Sequence, residues 1–206
     1  AVVTDGNITS FPKGNKGIQI GDIQYPAAIY TLWSEAERNA IGVYTVVEDN
    51  TNKKDGDWYT NTNQTYAFGS GKVTATYGSA TAKAIADKTW TQQNSDDGLM
   101  PSDKSVGDVK EEGLKTIKKR LIDRQCAGQL APSDWRVIRE QETGNAMDSG
   151  WKTWRASVRT KCNSMQTQID NASDVDALAT LFTYTNTGTE ENPVIERPLG
   201  EFPIKE

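Results

Sequence analysis

The stretch WKTWRASVRTKCNSMQTQI, residues 151–169, decides the fold of the second half of this chain. Its apolar residues recur at steps of three, four, four, three and four, which is the period of one face of an α-helix. That face predicts the core of a helical module and consists of Trp151, Trp154, Val158, Cys162, Met165 and Ile169. A stacking platform for a base or a sugar is the alternative for the two tryptophans. Packing explains them better, because the same face continues to the end of the stretch.

Two further helices are predicted upstream of this stretch. Apolar residues at helical spacing indicate a helix that begins near Leu114 and ends at Gly128, just before a proline. Ser133 is predicted to cap a shorter helix that ends near Gly144. Trp135 lies on that shorter helix, and we expect it to join the core of the module.

We place this helical module at residues 108–182 and divide the rest of the chain relative to it. Ser173 is predicted to cap its last helix. A polar segment at 92–107 is predicted to be a linker, and the Asn-, Thr- and Glu-rich residues 183–206 an extended tail. The fold class is therefore α+β, with a small N-terminal β-rich attachment region at 1–91 and a helical hairpin or small bundle at the other end.

Within the N-terminal region, a short helix is the best-defined element. Ser34 and Glu37 form a capping box, and Gly42 supplies the stop. β-Branched and aromatic residues predict a strand at 43–47, and a turn leads to a partner strand at 58–60. Two weaker segments are predicted as a strand at 73–77 and a short helix at 81–88.

The composition excludes several classes of site. The chain has no histidine, so Ser-His-Asp and Cys-His nucleophiles and imidazole zinc sites are excluded. Adjacent acidic pairs such as Asp96-Asp97 are typical of a solvated surface rather than of two acids converging across a cleft. Carboxylate-only and metal-carboxylate enzymes are not excluded by composition, but no residue is predicted as catalytic, as a cofactor contact or as a metal ligand. Cys126 and Cys162 lie on apolar seams as small buried hydrophobes, with a disulfide as the alternative.

The charge pattern bears on partners. The net charge is −5, and no half of the chain is strongly basic, so we expect no nucleic-acid partner. The basic groups 118–120 and 155–161 could form a phosphate-binding face, but the wet side of a helix explains them better. No apolar run has the length of a membrane span, so we expect no membrane insertion, and no signal peptide is visible.

Part of the N-terminal region matches a known pattern. A Tyr-Pro segment is followed by a short helix with the spacing Ser-x-x-Glu-Arg and by an Ile-Gly strand start, at residues 23–26, 33–38 and 41–43. This order resembles the opening of a group of tailed-bacteriophage tail fibre and tail-associated proteins.

A second and more specific block lies in the helical module. The sequence LAPSDWRVIRE at 130–140, followed by ETG at 142–144 and WKTWR at 151–155, is similar to an element of the same group. Domains that look like tail-assembly chaperones share the last part of it. Trp135, Trp154 and Arg155 have structural roles in that pattern. Together the two blocks cover roughly residues 18–47 and 114–182.

The resemblance implies a non-enzymatic structural component of a tailed-phage virion, in the tail fibre or baseplate. It implies other virion proteins as partners, a homo-oligomer, and a location in the virion tail after assembly in the host cytoplasm. A tail fibre assembly chaperone is the alternative. A tail protein that binds or degrades a host surface glycan is a weaker one.

Overall fold

The computed structural model describes residues 1–205, and the chain divides into two compact units, Ala1–Ala82 and the part from Lys83 onward. The predicted α+β class is confirmed, with small β-sheets in the first half and a helical region in the second. The boundary lies earlier than the predicted one at residues 91 and 92. None of the described helices is long and apolar enough to cross a membrane.

The first unit combines short strands with two short helices. A buried cluster of Val2, Ile18, Ile29 and Val43 forms its core. Its elements are β1 (Val2–Thr4), β2 (Asn7–Ser10), β3 (Ile18–Ile20), β4 (Ile23–Tyr25), α1 (Ile29–Leu32), α2 (Glu35–Ala40), β5 (Val46–Asp49), β6 (Tyr59–Thr60), β7 (Gln64–Gly69), β8 (Lys72–Tyr77) and β9 (Thr81–Ala82). β5 runs parallel to β8, β7 runs antiparallel to β8, and the other strands form antiparallel pairs.

The predicted helix of this unit is confirmed in its details. The Ser34 side chain accepts a hydrogen bond from the backbone N–H of Glu37, and the Glu37 carboxylate accepts one from the backbone of Ser34. Gly42 follows with φ +81°, and a Cβ there would lie 2.6 Å from the carbonyl oxygen of Val3. Only glycine combines that backbone conformation with so close an approach.

Two predictions for the segments after this helix are wrong. The strand expected at 43–47 begins only at Val46, and β6 pairs with β9 rather than with it. The segment 81–88 is not a helix, because Thr81 and Ala82 form β9 and the backbone after them binds the start of the next long helix. The carbonyls of Ala84 and Ile85 accept hydrogen bonds from the first N–H groups of the next long helix. The strand at 73–77 is confirmed as part of β8.

The second unit contains the long helices. Its elements are β10 (Lys88–Thr89), α3 (Gln92–Asp96), β11 (Val109–Glu111), α4 (Leu114–Leu130), a 3₁₀ turn (Ala131–Ser133), α5 (Asp134–Thr143), α6 (Ser149–Asn171), α7 (Val175–Phe182), β12 (Thr185–Asn186) and β13 (Ile195–Glu196). The expected linker at 92–107 therefore contains a helix, α3, with its own capping box.

α4 and α6 form the helical hairpin at the centre of this unit. Lys115 near the start of α4 donates to the backbone of Asp170 near the end of α6. At the opposite end Arg155 of α6 donates to the carbonyl of Leu130. The two helices are therefore antiparallel. Gly128 does not end α4 as predicted, because packing against α6 outweighs the cost of about 1 kcal/mol for a glycine inside a helix.

The ends of the other elements also differ from the prediction. The cap of α7 is Asp174, whose carboxylate accepts from the N–H of Ala177, and Ser173 donates to that carboxylate instead of capping. The residues after 182 are not simply an extended tail. They form the β12–β13 hairpin, and Leu199 beyond it is fully buried.

Candidate functional site

The predicted core face of α6 divides into a buried and a partly buried part. Val158, Met165 and Ile169 have no exposed surface, and Cys162 is buried beside them. The two tryptophans at the start of the face, residues 151 and 154, are only partly buried. The face is therefore buried towards its C-terminal end and partly exposed at its N-terminal end, next to α5.

Trp135 lies outside the core, contrary to the prediction. Half of its surface is exposed, and Ile138 one turn further along α5 is 56% exposed. The helix α5 has ten residues and no buried side chain. It is attached through polar contacts rather than through an apolar face.

The main attachment of α5 is the guanidinium group of Arg155, which is only 5% exposed. Its Nη1 donates to the carbonyl of Leu130 at 2.9 Å and to the hydroxyl of Ser133. Its Nη2 donates to the carboxylate of Asp134 at 2.7 Å. Ser133, fully buried, also donates to Leu130. One side chain of α6 thus holds the end of α4, the 3₁₀ turn and the start of α5.

A second attachment is a stack of aromatic rings and a cation. The guanidinium of Arg136 lies 4.5 Å from the ring centre of Trp135 and 4.4 Å from that of Trp151. Trp151 also contacts Trp154 edge to face, with centroids 5.5 Å apart. The indole N–H of Trp154 donates to the carbonyl of Pro203, so the stack is tied to the C-terminal segment. Such cation–π contacts orient an arginine by its flat face.

A cleft of about 200 Å³ opens beside this stack. Two arginines of α5 and the loop between α5 and α6 line it: Trp135, Arg136, Arg139, Asn145, Ala146, Met147 and Asp148. The Asp148 carboxylate caps α6 by accepting from the backbone N–H groups of Gly150 and Trp151. The cleft is the candidate functional site, because it joins cationic, amide and aromatic groups in one concave place.

The two cysteines are free thiols buried between α4 and α6. Burial raises the pKa of the Cys162 thiol to about 12, and the neighbouring Cys126 and Asp123 add to that rise. Thiolate is the reactive form, so Cys162 is poorly suited to nucleophilic chemistry.

Two residues of the basic group at 118–120 form ion pairs with acids of the second unit. Lys119 pairs with Asp170 at 2.8 Å, and Arg120 pairs with Glu112. Within residues 1–205 no three carboxylate or thiolate groups are placed to hold a metal ion. No known protein family, no curated protein and no solved structure matches this chain.

The cleft arginines were missed by the sequence reasoning. Arg136 and Arg139 are three residues apart directly after Trp135, a spacing that places them within one turn of helix. That spacing is the signal that could have found them.

Proposed function

We propose that this chain is a non-enzymatic structural component of a tailed-phage virion, in the tail fibre or baseplate, which docks to other virion proteins through α5. The observation that carries this proposal is the exposed apolar surface of a firmly attached helix. Trp135 and Ile138 are three residues apart and about half exposed. Large apolar side chains held outward in a fixed position are typical of protein interfaces, and tryptophan is the residue most enriched among interface anchors.

The attachment of α5 supports a docking role. The buried Arg155 holds its first residue, and Lys152 of α6 pairs with Glu140 at 2.6 Å in its middle. A partner that binds a preformed helix does not have to order it, so less of the contact energy is lost on binding. The resemblance of residues 130–155 to phage tail proteins covers this same helix. Copies of the chain are proposed to associate in the virion tail after synthesis in the host cytoplasm.

An assembly chaperone is the second candidate, because the same surface would serve a transient partner. The test is mass spectrometry of density-purified particles of the phage whose genome encodes the chain. We expect the chain in the particles at a constant ratio to other tail proteins. Its presence only in the soluble lysate would overturn the structural role and favour the chaperone. Release of sugar from host surface polysaccharide would favour a glycan-degrading tail protein instead.

A variant links the test to the surface. Ile138→Glu should reduce incorporation into particles while leaving the helical circular dichroism unchanged, since this side chain is 56% exposed. The matched control is Ile204→Glu, at a residue that is 86% exposed and lies outside α5. Equal incorporation of both variants would contradict docking through α5.

A further inference from the structure

The cleft beside α5 contains a cation without a counter-ion. Within residues 1–205 the guanidinium of Arg136 makes no hydrogen bond and no ion pair, and its Nε is buried without a partner. Its contacts are the two indole rings. A charge that is partly removed from water and has no acceptor is unfavourable, and unsatisfied buried donors in native proteins call for an explanation.

A second arginine adds to the positive charge. Arg139 lines the same cleft, and none of the described residues forms an ion pair with its side chain. Three acids of α5 and the following loop are engaged elsewhere: Asp134 pairs with Arg155, Glu140 pairs with Lys152, and Asp148, which also lines the cleft, caps α6. The two cleft guanidinium groups are thus left without a paired acid, and the cleft is complementary to an anion.

The size of the cleft limits what the anion is part of. Its volume of about 200 Å³ is more than one bare oxyanion fills. It is also smaller than most pockets for drug-sized ligands. The half-exposed ring of Trp135 at the rim offers a flat apolar surface, and the amide of Asn145 offers a donor and an acceptor.

We infer that this cleft binds a small compound that carries a carboxylate or phosphoryl group on a ring. The oxyanion lies between Arg136 and Arg139, and the ring lies against Trp135. Guanidinium groups suit this ligand because their planar donors match carboxylate and phosphate oxygens, and because a stacked guanidinium is already oriented. The site goes beyond the proposed docking role, which does not require it.

The test uses the full-length chain and its indole N–H signals in ¹⁵N-labelled protein. The chain has six tryptophans, so each signal is resolvable, and those of Trp135 and Trp151 are assigned with Trp→Phe variants. Four probes are titrated at millimolar concentrations: acetate, inorganic phosphate, benzoate and phenyl phosphate. Sodium chloride at matched ionic strength is the reference, and benzyl alcohol is the neutral control.

We expect saturable shifts of the Trp135 and Trp151 signals with benzoate or phenyl phosphate. Whichever of the two binds more tightly identifies the carboxylate or the phosphoryl group as the preferred anion. Equal affinity for the bare anions would overturn the ring contact. Shifts equal to those in sodium chloride, or absent with all four probes, would overturn the site.

Variants tie the binding to the arginines. Arg139→Gln should weaken binding at least about tenfold, because a charge-assisted pair is lost. Arg139→Lys keeps the charge without the planar fork and should weaken it less. Arg124→Gln, at an exposed arginine of α4 that does not line the cleft, should leave it unchanged. Binding by Arg139→Gln equal to that of the unmodified chain would refute the assignment, whatever the outcome of the virion experiments.

Discussion

Removing the surface partner of the Arg155–Asp134 ion pair should destabilise the protein more than removing the buried one. The Arg155 side chain is 6% exposed and the Asp134 side chain is 55% exposed. Asp134→Ala leaves a buried cation with only the Leu130 carbonyl and the Ser133 hydroxyl as acceptors. A fully buried pair broken in this way costs about 3–5 kcal/mol. Water already reaches Asp134, so screening reduces the expected cost to about 2 kcal/mol.

Arg155→Met leaves polar groups that still have partners. The carboxylate of Asp134 is hydrated, and Leu130 still accepts the hydrogen bond of Ser133. Methionine fills much of the vacated volume, so the expected cost is about 1 kcal/mol. The double variant contains no buried charge without a partner. It should therefore be about as stable as Arg155→Met alone, and more stable than Asp134→Ala.

Urea denaturation followed by far-UV circular dichroism measures these differences, because the long helices that dominate the signal lie in the second unit. Glu140→Ala is the control on the same helix, since its exposed ion pair with Lys152 should contribute less than about 1 kcal/mol. A double variant less stable than Asp134→Ala would refute the reasoning, because it would mean that the two side chains act independently.

Three further predictions follow from other contacts of the second unit. Asp87 accepts hydrogen bonds from the Gly113 N–H and the Thr116 hydroxyl, which hold the pKa of that carboxyl below its usual range. Asp87→Ala should therefore cost about 1 kcal/mol at pH 7 by the same denaturation assay, as loss of a helix cap does. The contribution of Asp87 should be complete above its unfolded pKa near 4 and fade as the pH falls through the lower folded value; an unchanged difference at acidic pH would contradict this. Leu199→Ala should cost about 3 kcal/mol, whereas Ile204→Ala at an exposed position should cost under about 0.5 kcal/mol; equal costs would show that Leu199 is not part of the core. Both thiols should resist a thiol reagent in the native protein and react at once in denaturant, and a fast native reaction would contradict their burial.

The sequence predicted those parts of the fold that depend on local periodicity. α6 was found because its apolar face repeats over five steps, and α2 because its capping box is a local pattern of two side chains. The wrong predictions concern which part of the chain, if any, packs against a predicted element. The spacing of Trp135 and Ile138 shows which face of α5 is apolar, but it does not show whether another element covers that face.

Long-range contacts account for the other differences. Asp87 accepts the N–H of Gly113 at the start of α4 from 26 residues earlier in the chain, and no local pattern connects the two. Leu199 lies in a segment rich in Asn, Thr, Glu and Pro, so composition placed it in an extended tail. Its burial depends on contacts with two helices that come earlier in the chain.

Leu199 has a consequence for the order of events during synthesis. Its backbone N–H donates to Leu181 of α7, and its carbonyl accepts from Lys161 of α6. During synthesis, every helix of the second unit therefore leaves the ribosome before Leu199, which fills the space between α6 and α7. Until then the interior of the unit is open to water and to other chains. A nascent chain stalled before Leu199 should be cleaved by protease within α6 and α7, and the released chain of residues 1–206 should be protected there.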